Sequence, residues 1–105
     1  MSLDILIKRA IKRMEIIDNL DEYLKRIKRV VYGIDGEAEI YLFGSAAEGK
    51  HTYSSDIDIL IITSSKPAII HRELWKAGIG EPFEIHIHPP DKLELYKRRG
   101  KLIKI

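Results

Sequence analysis

Along the first third of the chain, apolar residues return every three or four positions: Leu3, Leu6, Ile7, Ala10, Met14 and Ile17, then Leu20, Leu24, Ile27 and Val31. That period predicts amphipathic helix from Leu3 to Val31, as one long helix or as two with a joint near Asp18–Asn19. Ser2 suits the first cap. Asp18 suits the cap of a second helix, with Asp21 three residues on in a capping-box-like position. Gly33 and Gly36 close the helical pattern.

Beyond them the period falls to two. Ala38 to Phe43 is rich in β-formers and predicts a strand ending at Gly44-Ser45. Ala46 to Glu48 predicts a short helix that Gly49 ends, and Lys50 to Ser55 a polar loop. Asp56 to Ile62 predicts a second strand, buried towards its end. Pro67 suits the first turn of a helix running to about Ala77, closed by Gly78 and Gly80. Within that helix Trp75 lies near Ile69, Ile70 and Leu74 at helical spacing and is assigned to the core. Phe83 to His88 alternates cleanly as a third strand, with Glu84, His86 and His88 on one face and Phe83, Ile85 and Ile87 on the other. Pro89-Pro90 breaks it, Asp91 caps a short helix to about Arg99, and Gly100 to Ile105 adds an edge strand. Strands separated by helices, after an N-terminal helical segment, predict an α/β (α+β) class with a sheet packed against helices.

Length and composition narrow this further. With 105 residues, no repeat and no linker-like stretch, a single domain over 1–105 is expected, a helical segment 1–33 followed by a sheet-containing core 37–105. No cysteine is present, which excludes a disulfide framework and a thiolate zinc site. No apolar run reaches the ~18–20 residues that span a bilayer, and Asp4, Lys8 and Arg9 interrupt any signal-like start. A cytoplasmic protein is expected, with no membrane contact. The formal net charge is only +2, too small to imply nucleic-acid binding. Its basic residues do cluster, however, as Lys8-Arg9, Lys12-Arg13, Lys25-Arg26, Lys28-Arg29 and Lys97-Arg98-Arg99. Such runs serve as solvated helix faces whose stems cover apolar surface, or as tracks for RNA phosphates.

Candidate chemistry lies in Leu42-Phe43-Gly44-Ser45, then ten residues, then Asp56-Ile57-Asp58. Residues two apart on a strand share a face, so the carboxylates of Asp56 and Asp58 are expected to aim at one volume. Two acids held so close repel unless a cation sits between them. Hard divalent ions such as Mg²⁺ take oxygen ligands, commonly one or two carboxylates with substrate phosphates. A glycine at a strand end lets backbone approach a ligand closely, and the following amides with the Ser45 hydroxyl can donate to phosphate oxygens. If the third strand lies beside the second, Glu84 supplies a third acid for a two-metal site. His86 and His88, spaced H-x-H, are weighed as a zinc pair against polar lining of a nucleotide cleft. Lys50, His51 and Tyr53 lie where a nucleotide would enter; His51 and His71 are otherwise assigned to the surface.

Phe43-Gly44-Ser45, ten residues, then Ser55-Asp56-Ile57-Asp58 resembles the GS–x10–DxD signature of the minimal nucleotidyltransferases in the DNA polymerase β-like superfamily. The resemblance covers roughly residues 38–88. It implies that Gly44, Ser45 and Ser55 bind nucleotide, and that Asp56, Asp58 and Glu84 are catalytic and hold two Mg²⁺. ATP is the implied donor of AMP. Small proteins of this kind resemble the antitoxin of HEPN–MNT toxin–antitoxin pairs, which implies a tyrosine of a partner HEPN toxin as acceptor. Two departures stand out: Ala46 occupies a position where many relatives carry Arg, and the third acid is Glu rather than Asp. Ala46 keeps open a module that neutralises its partner by contact alone. RNA or a small molecule as acceptor uses the same site, and a homo-oligomer is compatible with it.

Overall fold

A computed structural model describes residues 2–105. Two helices come first, α1 (Leu3–Asp18) and α2 (Leu20–Ile34), jointed at Asn19. Ser2 caps α1 by accepting the amide of Ile5 at 3.4 Å. The expected Asp18 cap is not formed: Asn19 takes the N-cap position of α2, and Asp18 is the last residue of α1 with its carboxylate committed to Tyr53. Gly33 does not stop α2, which runs on to Ile34 and is closed by the amide of Asp35 bonding to Val31 O at 2.8 Å. Asp35 in turn accepts the amide of Glu37 and the hydroxyl of Thr63, a buried threonine at the end of the second strand.

The sheet carries four strands in the order β3-β2-β1-β4. They are β1 (Glu39–Phe43), β2 (Ile57–Ile62), β3 (Phe83–His88) and β4 (Ile103–Lys104). β1 runs antiparallel to β2 and β4, and β2 runs parallel to β3. The sheet is therefore mixed, as a parallel pair needs a helical crossover while an antiparallel pair does not. That crossover is α4 (Pro67–Lys76), entered through Pro67 and closed by Gly78 at φ +85°. A one-turn helix, α3 (Gly44–Ala47), follows β1 directly, starting two residues earlier than its sequence suggests. A 3-10 turn at Pro90–Lys92 leads into α5 (Leu93–Arg99).

Strand alternation sorts the two faces. Ile40 and Leu42, Ile57, Ile59 and Ile61, and Ile85 and Ile87 point to one side, where Leu24, Ile27 and Val31 of α2 and Ile70 and Leu74 of α4 close the main core. β2 is covered on both faces, which is why it reads as a continuous apolar run. The other face is only half covered. There Tyr41, Leu60 and Ile62 form a small cluster with Leu93, Tyr96 and Leu102 from the C-terminal segment. Phe43 joins the edge of that cluster, its ring edge-on to Tyr96 at 5.4 Å, and beyond it Asp58 is half-buried and Glu84 exposed.

One expectation about packing fails. Trp75 is 75% exposed, its ring against Gly80, because Ile70 and Leu74 define the buried line of α4 and Trp75 lies a further 100° round. α1 buries only Ile16. Leu3, Leu6, Ile7 and Met14 keep their helical spacing but stay exposed.

Candidate active site

The open end of the sheet's second face collects polar groups by register. Asp58 pairs with Glu84 across the parallel β2–β3 ladder and with Phe43 across the antiparallel β1–β2 ladder; Leu60 pairs with His86. Since alternate residues share a face, Phe43, Asp58, Glu84 and His86 all project to the same side. Donor atoms of Asp58, Glu84 and His86 lie within 4.8 Å of one another. His86 Nε2 stands 3.5 Å from Asp58 Oδ1 and 3.6 Å from Glu84 Oε1. That nitrogen is shielded from solvent and has no hydrogen-bond partner. The Phe43 ring meets the imidazole edge-on at 5.0 Å and 71°.

Gly44 abuts this cluster. Its φ is +67°, and a Cβ built there would stand 2.6 Å from Asp58 Oδ2. Glycine is thus required twice over, once by the left-handed backbone and once by the carboxylate beside it. Ser45 follows in the first turn of α3, its carbonyl taking the amide of Lys50 at 2.8 Å. Gly49, at φ +71°, ends the turn as expected. A cleft borders Gly44 and is lined also by Phe43, Glu48, Tyr96, Arg99 and Lys101. The Arg99 guanidinium lies over the Tyr96 ring at 5.4 Å.

Asp56 is held differently. It precedes β2, and its carboxylate bonds Arg13 of α1 at 2.9 Å rather than joining the three converging donors. The same guanidinium receives a second carboxylate, Glu81, at 2.8 Å. It also donates to the carbonyls of Tyr53 at 2.6 Å, Ser54 at 3.1 Å and Ser55 at 2.7 Å. Five acceptors on a planar fork make Arg13 the organiser of the loop before β2. The Ser55 hydroxyl is used within that loop, accepting the Thr52 amide at 3.1 Å. The Tyr53 hydroxyl donates to Asp18 at 2.6 Å, tying the loop to α1 a second time.

The structure thus brings Asp58, Glu84, His86 and Gly44 together, and leaves Asp56 and Ser55 outside that group on the Arg13 loop. The H-x-H pair does not act as a pair, because His88 Nε2 is bonded to the Tyr96 hydroxyl at 2.9 Å. His71 is exposed as expected, whereas His51 is half-buried with Nδ1 shielded and unpartnered. Arg13 had no sequence signal, being one cation among several on α1 and bonded to a loop some 40 residues away.

A divalent ion suits the three converging donors. Two carboxylates facing one another with a shielded, unsatisfied ring nitrogen form a set that a cation satisfies and that the three groups do not satisfy among themselves.

Similarity to other proteins agrees with the geometry. The profile of the nucleotidyltransferase domain matches residues 17–104. A crystal structure of a provisionally assigned nucleotidyltransferase superposes with a TM-score of 0.65 at 29% identity, over 78% of this chain and 96% of that one. A second, also provisionally assigned, from Sulfolobus solfataricus, shares the fold with a TM-score of 0.55 at 21% identity, over 84% of this chain and 83% of its own. No protein of curated function matches significantly. With the whole sheet and its DxD strand inside the matched region, the chain belongs to the nucleotidyltransferase domain family.

Proposed function

We propose that the chain moves a nucleoside monophosphate, AMP from ATP, to an acceptor hydroxyl, working as one domain with Asp56, Asp58 and Glu84 as its catalytic and metal-holding carboxylates. The observation that carries this is the convergence of Asp58 and Glu84 on the Gly44 turn. Gly44 lets a triphosphate lie against backbone, and the amides and hydroxyl at Ser45 donate to its oxygens. Ser55 is proposed to reach the nucleotide from the loop before β2, its hydroxyl turning away from Thr52 to do so. Arg99 and Lys101, in the cleft beside Gly44, supply the positive charge that Ala46 does not. Two Mg²⁺ ions, when bound, supply positive charge that offsets the charge developing on the entering and leaving oxygens. Glu84, with its side chain 56% exposed against 25% for Asp58, stands on the open side and takes up the acceptor's proton. The acceptor oxygen then bonds to the α-phosphorus as the α–β bridge breaks, and pyrophosphate leaves. Asp56 would help to hold the ion once its carboxylate is released from Arg13.

The proposed acceptor is a tyrosine of a HEPN-type toxin, with the chain as its antitoxin in the cytoplasm. Family resemblance supports this, and so does the exposed apolar row of α1, a surface of the kind that protein partners, or a second copy, cover. No helix among the described residues is long and apolar enough to cross a membrane. The test is incubation with Mg²⁺, the product of the neighbouring gene and ATP labelled at either the α or the γ position. Label from α-labelled ATP on the partner, absent with Asp58→Asn, is the expected result. Transfer of γ label, or no transfer to the partner, RNA or small hydroxyl compounds, contradicts it. Ala46 and the Arg13–Asp56 bond favour one second reading, a contact inhibitor with an idle site. Neutralisation of the partner that survives Asp56→Asn would select it.

A further inference from the structure

We propose that His86 is itself a ligand of the ion at Asp58 and Glu84, and that the site consequently selects a zinc-class ion (Zn²⁺ or Co²⁺) over Mg²⁺ at this position. The inference rests on the preceding section for Asp58 and Glu84 as ligands, and goes beyond it in adding a nitrogen donor and changing the ion.

Three observations carry it. First, His86 Nε2 lies 3.5 Å from one carboxylate oxygen and 3.6 Å from the other. Two donors on one ion at ~2.1 Å stand roughly 3–3.5 Å apart, so the spacing is close to that of ligands sharing an ion and long for hydrogen bonds. Second, that nitrogen is shielded and unpartnered, although two acceptors flank it. A histidine present only to pair with these carboxylates would close at least one of the gaps. Third, the neighbouring His88 is already engaged by Tyr96, while the edge of Phe43 packs on the His86 ring. Of the two β3 histidines, His86 is the one left free to bind.

The chemistry follows from the donor set. Mg²⁺ prefers oxygen ligands and is reluctant to shed water, whereas imidazole with carboxylates suits the borderline transition ions. Three protein ligands, one nitrogen and two carboxylates, also leave positions open for substrate, as in catalytic rather than structural zinc sites.

The experiment uses the full chain and two readouts independent of nucleotide transfer. Long-range ¹H–¹⁵N spectra of the four imidazoles are recorded as Zn²⁺ is added. Calorimetry then measures Zn²⁺ and Mg²⁺ binding separately in wild type and His86→Asn. A large shift of His86 Nε2, with His88 and His71 unmoved, is the expected result. With it, Zn²⁺ affinity in His86→Asn falls at least ~10-fold and Mg²⁺ affinity stays unchanged. An unmoved His86 Nε2 in the wild-type spectrum overturns the inference, as does an equal loss of both ions in the variant. Mg²⁺-supported AMP transfer with a silent His86 removes this inference and keeps the proposed function. Zn²⁺ on His86 without any transfer does the reverse.

Discussion

The two halves of the candidate site are held by different kinds of structure. Asp58, Glu84 and His86 are fixed by strand register inside a sheet whose central strand is fully buried on its apolar side. Asp56, Ser55 and Tyr53 belong to a loop that takes its shape from one guanidinium on α1. Displacing the first set requires breaking the β2–β3 ladder. Displacing the second requires releasing the Arg13 fork and the Tyr53–Asp18 bond. The family match begins at residue 17, so both sets lie inside it while Arg13, which holds the second, lies outside. The position of Asp58 is thus a property of the fold, whereas that of Asp56 depends on an N-terminal helix that buries little else.

The largest effect should come from the sheet-held half. Asp58→Asn is expected to lower nucleotide transfer roughly a thousandfold, as several kcal/mol of charge stabilisation disappear. Circular dichroism should remain native, because Asp58 is partly exposed and outside the main core. Gly44→Ala comes next. It forces a side chain into the left-handed region and onto Asp58 Oδ2, costing about 1–2 kcal/mol. A thermal melt should fall by roughly 5–15 °C, and transfer by roughly 100-fold if Asp58 is pushed aside. A variant as active and as stable as wild type would separate Gly44 from Asp58.

Arg13→Ala tests the other half. It leaves two carboxylates and three carbonyls without their donor, a loss of about 2 kcal/mol. Limited proteolysis should then cut within residues 50–56, while metal binding at Asp58 and Glu84 persists. Arg13→Lys should restore little, since an ammonium cannot reach the same acceptors with one planar fork. If metal binding at the sheet is lost together with loop order, the two halves are not separable.

The smallest effect is electrostatic. The hydrogen bond that Tyr53 donates to Asp18, with the charge of that carboxylate, raises the phenol pKa above its ordinary value of 10.0. The protonated form is the one favoured by folding. Its contribution is therefore complete below pH ~10 and is lost as pH rises through the raised value. In ultraviolet titration, the difference between wild type and Tyr53→Phe should show a late phenol, and Asp18→Asn should bring that phenol earlier. No change in its midpoint would remove Asp18 as the cause.

Local signals carried much of this arrangement in the sequence. Phe83 to His88 alternates so regularly that β3 has the bounds its pattern predicts, and the same alternation puts Glu84 and His86 on one side. Gly44 is legible as a close-approach glycine because a strand ends at it. Long-range contacts were less legible. The parallel register that sets Asp58 beside Glu84 depends on α4 returning the chain to the neighbouring edge of β2, so His86 read as a partner of His88 rather than of two acids. Arg13 is one cation in the run Lys12-Arg13, and its neighbours do not distinguish it. Trp75 carried a misleading signal: a large apolar residue one step from a buried leucine, on the wrong side of α4.

The most direct test of the central claim is a crystal structure of the full chain grown with Mn²⁺ and a non-hydrolysable ATP analogue, with anomalous scattering locating the ion. The expected map has a peak between the carboxylates of Asp58 and Glu84, with the triphosphate passing from it along Gly44 and Ser45. Ion and nucleotide bound together elsewhere on the molecule, with Asp58 and Glu84 unliganded, would contradict it.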